Sequence, residues 1–129
     1  MSVSITALYA GILALIFVAL AINVTRHRVK LRVALGDGGN PEMLRMIRLH
    51  ANAAEYIPLA LVLMALYELN GGWHFALHAI GGALIVARVL QSWNMWTTEN
   101  AGFGRRAGQS LTWLSILALA LLNLWKIAV

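Results

Sequence analysis

The sequence predicts an all-α fold, an integral membrane bundle of four antiparallel helices. Three observations predict it. Hydrophobic residues make up 60% of the 129-residue chain and charged residues only 12%, whereas a soluble domain is about 25% charged. Four apolar stretches, each near the ~20 residues that cross a bilayer, are separated by short polar or glycine-rich connections. The basic residues gather beside two of the three connections, as the topology of a membrane protein requires.

The first helix is expected over about 6–34. Its apolar part runs from Thr6 to Val24 and continues into Arg26, His27, Arg28, Lys30 and Arg32. The N-terminus lacks a basic leader segment, and this first run is long enough to span, so it reads as a helix of the bundle. The run Gly36-Asp37-Gly38-Gly39-Asn40-Pro41 stops it. Pro41 suits the first turn of a second helix, with Asn40 as its cap and Glu42 near its positive end. That helix is expected over about 41–69, with Pro58 inside it, and Asn70-Gly71-Gly72 ends it. The third is expected over about 73–96 and the fourth over about 105–128, joined by the polar segment Thr97 to Gly104.

Arg26, Arg28, Lys30, Arg32, Arg45 and Arg48 flank the first connection, and Arg105 and Arg106 flank the third. The opposite side carries Lys126. Both basic loops are therefore expected in the cytoplasm and both termini outside. The same clustering argues against nucleic acid as the reason for the net charge of +5. The absence of cysteine excludes disulfides, thiol catalysis and thiolate metal sites.

The segment Arg48-Leu-His-Ala-Asn-Ala-Ala-Glu-Tyr-Ile-Pro58 is the most informative. At about 100° per residue, Arg48, Asn52 and Glu55 share one helix face, with Tyr56 close beside Asn52. A charge within a bilayer costs at least ~2.5 kcal/mol, so this cluster needs a partner, a water-filled cavity or a ligand. Arg88, deep in the third helix, is the natural ion-pair partner for Glu55. Arg28 and Arg32 share a face at i, i+4 and offer a second anion contact, unless they serve topology and anionic lipid headgroups alone. Arg105 and Arg106 open the fourth helix, where the dipole is already positive, and they strengthen an anion site there. Gly36 to Gly39 is a turn and no phosphate loop, since no strand precedes it and no Gly-Lys-Ser follows. His74 and His78 share a face without a metal-binding motif, and no metal site is expected.

With its four helices, basic first loop and Arg-x-His-x-Asn-x-x-Glu-Tyr-x-Pro signature, the chain resembles the MAPEG family, the membrane-associated proteins in eicosanoid and glutathione metabolism. The run Gly36 to Asn40 and the pair Ala87-Arg88 resemble its bacterial members. The resemblance implies a homotrimer in a bacterial inner membrane, with glutathione as co-substrate between subunits near the cytoplasmic side. It implies that Arg28, Arg48, His50, Asn52, Glu55 and Tyr56 bind glutathione. It also implies that an arginine early in the fourth helix, matched best by Arg106 and less well by Arg105, activates the thiol. The second substrate would be a lipophilic small molecule, and the protein would act as a transferase or peroxidase. One departure stands out: Gln91-Ser92-Trp93-Asn94-Met95-Trp96 holds no tyrosine where family enzymes carry them. A non-catalytic binding or structural protein on the same scaffold is the competing reading. A small four-helix exporter ranks last, because the first helix lacks an acid.

Overall fold

The computed structural model describes residues 2–100 and 102–129. Helix α1 spans Ser4–Leu31, α2 Pro41–Leu69, α3 His74–Thr97 and α4 Phe103–Ala128. All four are long and apolar enough to cross a membrane. The 28 residues of α1 rise about 42 Å at 1.5 Å each, more than the ~30 Å hydrocarbon thickness. Its last turns, with the basic cluster, therefore extend beyond the apolar layer.

Two boundaries differ from expectation. Helix α1 stops at Leu31 because Arg32 adopts a left-handed conformation with φ 55°. The Val33 N–H then bonds back to the Arg28 carbonyl at 3.0 Å, closing the end as a left-handed cap does. Helix α4 begins at Phe103, two residues before the expected start, with Gly102 as its extended N-cap. The start of α2 follows the sequence reading. The Asn40 Oδ1 accepts from the Met43 N–H at 3.1 Å, and Pro41 occupies the first turn. The helix continues unbroken through Pro58.

Helix α1 packs on α2 and α3, α2 packs on α3 and α4, and α3 packs most extensively on α4; α1 and α4 do not meet among the described residues. The core gathers Leu13, Leu49, Ala60, Met64, Leu84 and Leu119. Small residues set the closest approaches. A Cβ at Gly108 would stand 2.5 Å from the Ala87 carbonyl, and one at Gly81 would run into the Tyr9 ring. This is how membrane helices gain contact where lipid offers no hydrophobic drive. Large apolar side chains lie on the outside, among them Leu15 at 75% and Trp93 at 73% exposure. Such a surface would be a liability in water and is suited to lipid.

Each end of the bundle is tied by polar contacts. At the end holding the chain termini, Glu68 accepts from the N–H groups of Ile5 (2.9 Å) and Thr6 (2.7 Å). A carboxylate thus covers the free N–H groups and positive dipole at the start of α1. At the other end, Glu42 meets His27 Nε2 at 3.2 Å and Lys30 Nζ at 3.5 Å, fastening the start of α2 to the end of α1.

Candidate functional site

The N-terminal half of α2, the C-terminal half of α3 and the start of α4 meet at the basic end of the bundle. There they enclose a recess of about 140 Å³ lined by Arg48, Asn52, Gln91, Met95, Arg105 and Gln109. A wider recess of about 400 Å³ adjoins it, sharing Arg48, Met95 and Arg105 and adding Arg45, Glu99 and Asn100. The polar face of α2 therefore does open onto a cavity.

Arg88 organises the floor. It is 2% exposed and no carboxylate lies within ion-pair distance of it among the described residues. Its Nη1 donates to Asn52 Oδ1 at 2.7 Å and its Nη2 to Thr112 Oγ1 at 2.5 Å. The Thr112 hydroxyl donates in turn to the Gly108 carbonyl at 2.8 Å. Asn52 Nδ2 donates to Gln109 Oε1 at 2.9 Å, and Gln91 Nε2 approaches the same oxygen at 3.3 Å. A guanidinium hydrogen-bonded to neutral acceptors replaces the expected salt bridge.

The Glu55–Arg88 ion pair is thus corrected. Glu55 is half exposed and stands 3.5 Å from Arg48 Nη1. Seven residues along one helix return to nearly the same face, so Glu55 lies beside Arg48 along α2 and pairs with it. The partner of Arg88 on α2 is Asn52, one turn earlier.

The other sequence candidates divide. Arg48 and Asn52 line the small recess. Tyr56 is partly buried one turn beyond Asn52. His50 turns toward α1, where its ring sits 4.6 Å from that of Phe17. Arg28 Nη1 donates to the carbonyls of Gly36 (2.9 Å) and Val33 (3.3 Å), so within the subunit it holds the first loop. Both α4 arginines are exposed; Arg105 lines both recesses, while Arg106, 100° further round, lines neither. Arg45 Nη1 meets Glu99 Oε1 at 3.6 Å across the wider recess.

Gln109 and Thr112 escaped the sequence reading, and Gln91 entered it only as a missing tyrosine. A signal for the first two was present. Arg105, Gln109 and Thr112 repeat on α4 the i, i+4, i+7 spacing of Arg48, Asn52 and Glu55 on α2. Both stripes place polar groups along one helix face in an otherwise apolar segment.

A four-helix membrane bundle with a cationic, amide-floored recess at one end is the class of protein this geometry defines. The chain belongs to the MAPEG family, which it matches over residues 6–125. It is 40% identical over 121 residues to the inner membrane protein YecN of Escherichia coli K12, with 94% of this chain and 91% of that protein covered. The inner membrane protein YecN of Escherichia coli O6:H1 is similar to the same extent. Together with the four apolar helices, these relatives make the chain a multi-pass inner membrane protein.

Proposed function

We propose that the chain binds glutathione at its basic end, between the subunits of a homotrimer, and uses it as a transferase or peroxidase against lipophilic electrophiles entering from the bilayer. The observation that carries the reading is that Arg48 and Arg105, 57 positions apart and on different helices, line one recess. Glutathione has two carboxylates and one ammonium. Two arginines suit the carboxylates through charge-assisted bonds. Glu55, half exposed beside Arg48, suits the ammonium. Its exposure also supports the trimer, because a carboxylate left facing lipid is costly and a second copy would cover it.

Arg106 takes the thiol-activating role by family resemblance. It stands in the first turn of α4, where the dipole and the guanidinium both favour thiolate over thiol. In transfer, that thiolate attacks the electrophilic carbon and the leaving group departs with the bonding electrons. In the peroxidase reaction, two glutathione molecules become one disulfide while a hydroperoxide is reduced to alcohol and water. Arg28, Tyr56 and His50 complete the ligand shell only if a neighbouring subunit brings them to it. In this reading both basic loops face the cytoplasm, the termini lie outside, and Arg26, Lys30 and Arg32 meet anionic lipid headgroups.

The experiment is calorimetric binding of glutathione to the purified protein in detergent, followed by turnover with an aryl halide and with a lipid hydroperoxide. Saturable binding with turnover upholds the proposal. Binding without turnover favours the second reading, a non-catalytic binding protein. One observation speaks for that reading: α3 offers the recess Gln91 and Met95 and no phenol. Absence of binding sinks both.

A further inference from the structure

Hydrogen bonds around the recess have a fixed direction. A guanidinium donates and never accepts, so Asn52 must turn its oxygen to Arg88 Nη1. Its nitrogen then faces Gln109, which must answer with its oxygen. That oxygen also accepts from Gln91 Nε2. The orientation of each amide follows from Arg88 outward, so neither glutamine is free to flip without breaking a bond. Besides Arg88 Nε, which is also buried without a partner but belongs to a residue outside the recess lining, two atoms are left over. Gln91 Oε1 and Gln109 Nε2 are buried and have no partner, although Gln91 is 3% exposed and both residues line the 140 Å³ recess.

An unpartnered acceptor and an unpartnered donor on one recess specify what fits. A carboxylate satisfies the donor alone. An ammonium satisfies the acceptor alone. An amide carries both an N–H and a carbonyl in one uncharged unit, while Arg48 and Arg105 on the same walls call for negative charge beside it. We infer that Gln91 and Gln109 recognise an amide group of an anionic, peptide-like ligand in this recess. The inference deepens the binding reading above and rests on it for the location of the site. It makes the two glutamines specificity-determining residues. The lack of tyrosine on α3 is then a change in what is read, from a phenol contact to an amide contact.

The test uses three probes on the purified protein in detergent: glutathione, N-acetylglutamate (an amide-bearing dicarboxylate without a thiol) and suberate (a dicarboxylate without an amide). The expected result is that at least one amide-bearing probe binds about tenfold more tightly than suberate. Gln91→Met should abolish that preference while changing suberate affinity by no more than about twofold. N-acetylglutamate preferred over suberate with no glutathione binding would uphold the amide inference and defeat the glutathione reading. No preference for an amide, or no binding of any probe, overturns the inference. So does an equal loss for all probes in Gln91→Met, which marks a structural role only.

A second readout does not depend on the variant folding. Gln91 and Gln109 are the only glutamines in the chain, so ¹⁵N-glutamine labelling gives two side-chain amide signals. The Gln91 signal, whose Oε1 no carboxylate can satisfy, should move with an amide-bearing probe and stay with suberate. Movement alike with every probe, or with none, is the outcome of a water filling both valences, and it overturns the inference.

Discussion

Arg88 Nη1 lies 2.7 Å from Asn52 Oδ1, and this bond joins the buried cation of α3 to the polar face of α2. Truncating the acceptor strands a buried charge-assisted donor, whereas truncating the donor removes the charge with its desolvation cost. Asn52→Ala is therefore expected to cost about 2–3 kcal/mol, and Arg88→Met less. Glu55→Gln should stay within about 1 kcal/mol, because its contact with Arg48 is half exposed. Unfolding in detergent–denaturant mixtures ranks the three. A Glu55 effect as large as that of Asn52 would restore the ion pair that the sequence suggested.

At the opposite end, Glu68→Ala should release the first turn of α1. The variant loses two N–H acceptors and a favourable charge at the helix start, together worth about 1–2 kcal/mol. Amide hydrogen exchange at Ile5 and Thr6 checks it. Unchanged protection at both would mean that water caps the helix equally well.

Gly108→Ala should destabilise by about 1–3 kcal/mol, since the new methyl meets the Ala87 carbonyl, a backbone atom that yields only if α3 and α4 separate. Gly82→Ala has open space and should gain up to about 1 kcal/mol from helix propensity. Melting temperatures in one detergent give the comparison. Equal shifts of the same sign would show that the α3–α4 contact is looser than this geometry.

The two arginines at the start of α4 separate by assay. Arg105→Ala should weaken anion binding about tenfold or more, because Arg105 lines both recesses. Arg106→Ala should leave binding largely intact and abolish the near-ultraviolet absorbance of bound thiolate. If Arg105→Ala removes that absorbance instead, the thiol-activating role belongs to Arg105.

A reporter fused at Val129 should be active only outside the cytoplasm, given basic residues beside two of the three connections. Cytoplasmic activity would place the recess on the outer face.

The helices were legible because their punctuation is local. Asn40 and Pro41 start α2 by cap and ring geometry, and Asn70 with Gly71, whose φ is 70°, ends it. The end of α1 was not legible, since a left-handed Arg32 is a residue type that seldom takes that conformation. The site was half legible. Arg48 and Asn52 follow from spacing along one helix. The partner of Arg88 depends on how α2 and α3 are rotated against each other, which pairing charges by sign does not capture. Gln109 and Thr112 were hidden by being uncharged, although their spacing matched.

The partners of Arg88 come from both sides of it in the chain, and synthesis is directional. Asn52 has already left the ribosome when α3 emerges; Thr112 is still inside it. On insertion scales an arginine at a helix centre opposes entry into the bilayer by about 2.5–3.5 kcal/mol. Helix α3 therefore enters most cheaply beside α2, with Asn52 taking one side of the guanidinium. The arrival of α4 supplies the second acceptor. The order of biogenesis is written into which helix holds which hydrogen bond.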